Sequence, residues 1–173
     1  MKKHFVPRVA AIHDLSGYGR ASLTVVIPIL SGMGAQVCPL PTAVLSSHSA
    51  FPGFHFVDLT SHMNPMIEHW KSLNLSFDAI YSGYLGSVKQ VAIVSKFISD
   101  FRKENQIIVV DPVLGDNGKL YASFGMEMVD GMRKLIRNAH VITPNMTEAA
   151  LLLGEPYSED TEIAVVKNWA QRL

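Results

Sequence analysis

Five apolar stretches of this chain each run into residues that can hold a ligand. Residues 9–12 lead to His13 and Asp14, and residues 37–44 to Ser46, Ser47, His48 and Ser49. Residues 79–81 lead to Ser82, Gly83 and Tyr84, residues 107–110 to Asp111 and Pro112, and residues 140–142 to Thr143, Pro144 and Asn145. Asp111 follows four apolar residues, and a carboxylate there is costly unless paired, hydrated or near a cation. It either caps its own loop or serves Mg²⁺ or phosphate, and the preference of hard cations for oxygen favours the second. Thr143-Pro144-Asn145-Met146-Thr147-Glu148 opens a helix. Capping by Asn145 or Thr147, with Glu148 in the first turn, explains that segment by itself and is what these residues alone favour. The alternative turns Asn145 and Glu148, one helical turn apart, towards a metal-bound phosphate. Residues 13–19 form a glycine-bearing strand-to-helix turn. A plain tight turn would read the same way, but its place after the first strand favours ligand contact.

Other chemistries lack their residues. Gly118-Lys119 is followed by Leu120, and Val113 stands where a phosphate-binding loop of the Walker type needs its first glycine. Gly17-Tyr18-Gly19 has Ser22 where a dinucleotide fingerprint needs glycine. The seven histidines form no HExxH or close ligand pair. His62 and His69 are expected to face solvent, which leaves His13 and His48 near a site. Ser46, Ser47 and Ser49 are not framed by G-x-S-x-G. The single cysteine, Cys38, lies within a strand candidate and is expected to be a buried, inert thiol.

The elements that must position these groups alternate between strand and helix. That pattern argues for an α/β fold with a mainly parallel sheet, in which ligands bind outside the carboxyl ends of the strands. Leu23, Val26, Ile27 and Leu30 share a helical face, as do Val94, Phe97, Ile98 and Phe101, and Met128, Met132, Leu135 and Ile136. Pro28 should kink or shorten the first helix, and Gly32-Met33-Gly34 should end it. Residues 46–56, with Pro52-Gly53 and several aromatics, read as a flap, and Asn117-Gly118 as a tight turn. Ile163, Val166, Ala170 and Leu173 mark an amphipathic last helix that expects a sheet beneath it and another strand after it. The chain is therefore expected to be one domain, residues 1–173, forming the front part of a longer fold. At 173 residues and 48% hydrophobic it can build a core. Lys plus Arg (15) balances Asp plus Glu (15), so a nucleic-acid partner is not expected. No apolar run reaches membrane-spanning length, no signal peptide is recognisable, and one cysteine fits a cytoplasmic protein.

Taken together, five motifs resemble those of pyridoxal kinases in the ribokinase-like (PfkB-type) superfamily. They are His13-Asp14-Leu15-Ser16-Gly17-Tyr18-Gly19-Arg20, Ser46-Ser47-His48-Ser49, Ser82-Gly83-Tyr84-Leu85-Gly86-Ser87, Asp111-Pro112-Val113-Leu114-Gly115 and Thr143-Pro144-Asn145-Met146-Thr147-Glu148. The resemblance implies a three-layer α/β/α fold, often dimeric. It implies ATP-dependent phosphorylation of the 5′-hydroxymethyl group of pyridoxal, pyridoxine or pyridoxamine, with Mg²⁺ and often K⁺ or Na⁺. It assigns Asp14, Ser16, His48, Ser49 and Tyr84 to the vitamer. It assigns Asp111, Thr143, Asn145 and Glu148 to Mg²⁺ and the ATP phosphates, with Asp111 and Glu148 meeting the metal directly or through water. Tyr121 resembles a lid residue beside the phosphates. Asp14 stands where many pyridoxal kinases have Ser, as in hydroxymethylpyrimidine kinases, which makes such a kinase, or a dual-specificity one, the second reading. A non-catalytic vitamin-binding domain is the third. The family's Gly-x-Gly-Asp, which carries the general base, does not occur in this sequence. No catalytic residue is therefore assigned in this chain, and the 173 residues alone are expected to be inactive.

Overall fold

The computed structural model describes residues 6–173. In chain order the elements are β1 (Arg8–Ser16), α1 (Leu23–Gly32), β2 (Gln36–Leu45), β3 (Phe56–Asp58), α2 (Thr60–Ser72), β4 (Ala79–Ser82) and α3 (Val88–Asp100). They continue with β5 (Ile107–Val110), β6 (Gly115–Asp116), β7 (Lys119–Leu120), α4 (Met126–Ile136), β8 (Val141–Ile142), α5 (Met146–Leu153) and α6 (Ile163–Arg172). The main sheet has the order β3-β2-β1-β4-β5-β8. Its pairs are parallel except β2–β3, a hairpin in which Ala43–Leu45 face Phe56–Asp58.

The chain leaves β1 in one direction, through α1 to β2, and leaves β4 in the other, through α3, β5 and α4 to β8. Right-handed crossovers therefore put α1 on one face of the sheet and α3 and α4 on the other. The core follows this division. Ala10, Ile12, Leu40, Ile80, Ile108 and Val110 point to one face, against Met63 and Ile67 of α2, Val94 and Phe97 of α3, and Met128 and Met132 of α4. On the other face α1 packs over β1 and β2, while Ile107 and Val141, over β5 and β8, are exposed.

Several expectations need correction. His13 and Asp14 lie inside β1 rather than after it. The β1–β2 register shifts just there, His13 facing Pro41 and Leu15 facing Val44, with one additional residue on β2. The segment 46–56 is the tip of the β2–β3 hairpin, and its last residue already belongs to the sheet. Helix α1 is not cut short at Pro28 but continues to Gly32, with Pro28 on its exposed side. Helix α6 turns Trp169, not Ile163, inward. Trp169 is buried against Ala149 and Ala150 of α5, Ile163 is exposed, and α6 packs on α5 rather than on the sheet. Among the described residues, no helix is long and apolar enough to cross a membrane.

Candidate functional site

The strand order reverses between β1 and β4, so the carboxyl ends of these two strands open the crevice where α/β sheets bind ligands. From β1 come His13, Asp14 and Ser16, and from β4 come Ser82, Gly83 and Tyr84. Asp14 is buried, and both its carboxylate oxygens are engaged. Ser16 donates to one at 3.1 Å and Ser22 to the other. Ser22 opens α1 with φ 51° and makes no side-chain cap bond, so its hydroxyl serves Asp14 instead of the helix. His13 is also buried, edge-on to Tyr81 with ring centroids 4.4 Å apart. Burial drives its pKa down to about 4, opposed in part by the Tyr81 backbone. Gly83 is required beside it, because a Cβ there would run into the imidazole. His13 Nε2 and Ser82 Oγ are buried without a hydrogen-bond partner.

The β2–β3 hairpin brings residues 46–55 to this crevice. Ser46 closes the loop, its N–H donating to the His55 carbonyl (3.0 Å) and its hydroxyl accepting from the His55 N–H (2.8 Å). The His48 N–H donates to the Tyr18 carbonyl at 3.0 Å, and its ring lies over Gly19 and beside Phe51. Nδ1 of His48 accepts from the Ala50 N–H, which leaves Nε2 as the donor. Ser49 is exposed at the loop tip. Tyr84 stacks on Phe124 (5.9 Å), which meets Tyr121 edge-on (6.2 Å), so an aromatic row runs from β4 towards the β6–β7 hairpin. Burial, then the negative charge of Asp14, pushes the Tyr84 phenol up, while a hydrogen bond with Ser123 opposes them.

At the far end of that row lie two carboxylates. Glu148, buried, completes a capping box with Asn145. It accepts the Asn145 N–H at 2.8 Å, while the Asn145 side chain accepts the Glu148 N–H at 2.9 Å. Its second oxygen accepts from the Leu114 N–H at 3.2 Å. Burial is the largest influence on Glu148 and lifts its pKa to about 7 against those hydrogen bonds, with the Asp111 charge adding to the rise. Asp111 is half-buried and is likewise raised by burial, opposed by the Thr143 hydroxyl. Tyr121 is raised by burial and by Glu148, Asp116 and Asp111. Two carboxyl groups that burial raises side by side, one of them raised further by the charge of the other, fit a hard divalent cation, which lowers both. Among the described residues no cluster of three or more His, Cys, Asp or Glu could hold a metal by itself, so such a cation would complete its shell with phosphate or water oxygens.

A sequence model of the phosphomethylpyrimidine kinase family matches residues 68–173. This chain belongs to that family. Among its relatives are the pyridoxal kinases of Dictyostelium discoideum (29% identical, covering 90% of this chain and 53% of that protein) and Arabidopsis thaliana (32%, covering 82% and 46%). The chain thus spans about half the length of the curated relatives it matches. Its fold is the ribokinase-like one. A candidate phosphomethylpyrimidine kinase from Bacteroides thetaiotaomicron, crystallised with pyridoxal, superposes with TM-score 0.94 at 60% identity, covering 97% of this chain and 59% of that one. The pyridoxal kinase of Lactobacillus plantarum gives 0.89 at 37%, covering 97% and 60%.

In this phosphomethylpyrimidine kinase family member, capping and site geometry coincide at α5. The Asn145 side chain caps the helix and also donates to the Gly115 carbonyl at 2.9 Å, so it fixes Glu148 and the β6–β7 hairpin together. Thr147 accepts the Gly118 N–H at 2.9 Å and holds the same hairpin. Sequence reasoning missed Ser22, Phe124 and the buried Gln90. Only Gln90 left a trace, a polar residue on the apolar stripe it shares with Val94, Phe97 and Phe101.

Proposed function

We propose that the intact protein transfers the terminal phosphoryl group of ATP to the 5′-hydroxymethyl group of pyridoxal, pyridoxine or pyridoxamine. The observation that carries this reading is the layout along one sheet edge. A hydroxyl- and aromatic-lined crevice between β1 and β4 is joined by the Tyr84–Phe124–Tyr121 row to the Asp111–Glu148 carboxylate pair. Such a layout suits a flat polar ring at one end and a metal-bound phosphate chain at the other. The likeness to pyridoxal kinases, and to a structure crystallised with pyridoxal, supports the same ring.

In this reading residues 46–56 are a flap over the vitamer. His48 Nε2, the exposed Ser49 hydroxyl and the Tyr84 ring contact the vitamer. Asp14 and Ser16 shape the crevice floor. Thr143 and Tyr121 border the nucleotide phosphates, and Asn145 holds Glu148 in place for them. Mg²⁺ would be held by Asp111 and Glu148, through water where they do not reach it, and supplies charge neutralisation at the phosphates when bound. A monovalent cation, K⁺ or Na⁺, belongs to the same reading through the family resemblance. The homodimer of this reading would cover the exposed apolar residues Ile29 of α1 and Met33 just past its end, and a reduced Cys38 suits the cytoplasm.

Hydroxymethylpyrimidine is the second substrate reading, favoured by Asp14 and by the family match. Both ring substrates offered together with Mg-ATP separate the two. Pyridoxal 5′-phosphate as the main product of the intact protein supports the proposal. Exclusive pyrimidine phosphorylation, or no product, refutes it. The 173-residue chain alone is expected to give no product at kinase rates, because the general base is not assigned within it.

A further inference from the structure

Gln90 lies in the first turn of α3, is fully buried, and touches none of the groups assigned to substrate. Its carboxamide nevertheless joins three segments that carry them. Oε1 accepts the Gly86 N–H at 2.8 Å, in the loop that presents Tyr84. Nε2 donates to the Thr42 carbonyl at 2.9 Å, to the Thr60 hydroxyl at 2.9 Å and to Asp58 Oδ1 at 3.1 Å. Two N–H groups thus serve three acceptors. Thr60 itself donates to the same Asp58 oxygen at 2.6 Å, so that pair shares one of them. Thr42 and Asp58 lie on opposite arms of the hairpin that carries residues 46–55. Thr42 falls where the β1–β2 register shifts, and its hydroxyl donates to the Tyr84 carbonyl at 2.9 Å.

A buried amide with both polar atoms engaged, the nitrogen in bonds to segments remote in sequence, defines relative positions more strictly than apolar packing does. A methyl group at Gly86 would lie at ordinary contact distance, 3.8 Å, from Gln90 Oε1, Phe56 and Tyr84, so the backbone there is not wedged against the hairpin by packing.

We infer that Gln90 is a positioning residue that sets the base of the 46–55 hairpin against the Tyr84 loop, and so determines vitamer affinity without touching the vitamer. This role rests on the proposed vitamer kinase reading. Removing the amide lets the hairpin and Tyr84 move apart, while the Asp111–Glu148 end, held by α5 and the β6–β7 hairpin, stays as it is.

The test compares the intact wild-type protein with Gln90→Met, which keeps side-chain length and removes all four bonds, and with Thr42→Val, which removes only the tie to Tyr84. Gln90→Met is expected to raise the KM for pyridoxal about tenfold, leaving the KM for ATP and kcat within about twofold. It should also speed amide exchange in residues 46–56 but not in α5. Thr42→Val should raise the pyridoxal KM less and leave exchange in the hairpin unchanged, and it carries the test if Gln90→Met does not fold. A pyridoxal KM unchanged in both variants, against an active wild type, overturns this role alone. So does a loss shared equally by both substrates and kcat. A wild-type protein that makes no vitamer phosphate overturns the kinase reading and this role with it.

Discussion

Glu148→Gln should change the pH dependence of stability in a way that exposes two opposed buried groups. Glu148 is raised from 4.5 to about 7 in the folded chain, and His13 is lowered from 6.5 to about 4. Each shift is therefore about 2.5 units (7 − 4.5 and 6.5 − 4), or about 3 kcal/mol at ~1.36 kcal/mol per unit. The raised carboxyl contributes stability that is full below 4.5 and is lost as pH rises through 7. The lowered imidazole contributes stability that is full above 6.5 and is lost as pH falls through 4. Between 4.5 and 6.5 the folded chain keeps the Glu148 proton while the unfolded chain keeps the His13 proton, so the two slopes cancel. The wild-type chain should then hold nearly constant stability across that window and lose only about 0.7 kcal/mol on either side of it. In Glu148→Gln the carboxyl contribution is gone, and stability should rise with pH by about 1.4 kcal/mol per unit through the same window. The stability difference between the two proteins should change by about 3 kcal/mol from the acid end of the window to about pH 8. Any fixed cost of replacing the carboxylate's hydrogen bonds drops out of that change. Urea unfolding followed by the fluorescence of Trp70 and Trp169, at four or five pH values, reads it directly. Parallel curves for the two proteins would refute the placement of Glu148 as a buried, proton-holding carboxyl.

Other perturbations test separate parts of the structure. Asp111→Asn should lower kcat of the intact protein by about 10²-fold or more and raise the Mg²⁺ concentration needed for half-maximal rate; an unchanged Mg²⁺ titration would remove Asp111 from the metal end. Gly83→Ala should destabilise the chain by about 1–3 kcal/mol, because the added methyl runs into the buried His13 imidazole and forces it to shift. A melting temperature equal to wild type would show that His13 can move. Trp169→Ala should cost about 3–5 kcal/mol locally and release α6 from α5, seen as fast amide exchange confined to residues 163–172. Uniformly faster exchange throughout the chain would mean instead that α6 is part of the main cooperative core.

What could be read in the sequence follows from which interactions are local. The stripes of α3 and α4 were legible because Val94, Phe97, Met128 and Met132 repeat with helical period and meet the sheet as that period demands. The capped start of α5 was legible from Asn145, Thr147 and Glu148, but that Asn145 rather than Thr147 is the cap, and that Glu148 reaches back to it, came from the structure. The strand β3 was not, since three exposed residues in an aromatic, glycine-bearing loop carry no alternation signal. The inward face of α6 was misassigned because Ile163 and Ala170 fit the period, whereas Trp169 has the larger apolar surface to bury. The candidate site divides in the same way. Clustered polar residues at strand ends pointed to it, but the engagement of Asp14 by Ser22 and the links made by Gln90 depend on contacts between segments remote in sequence.

The short reach of β3 also bears on how this chain avoids sticking to itself. β3 pairs only with Ala43–Leu45, so among the described residues the outer side of β2 before Ala43 is an open sheet edge. An open edge invites an added strand from another molecule, and each added strand needs amide donors to meet it. Pro39 and Pro41 fall within that stretch, and neither has an N–H to offer. The hairpin can therefore stay short, while the rest of the edge is protected from strand addition by its own missing donors.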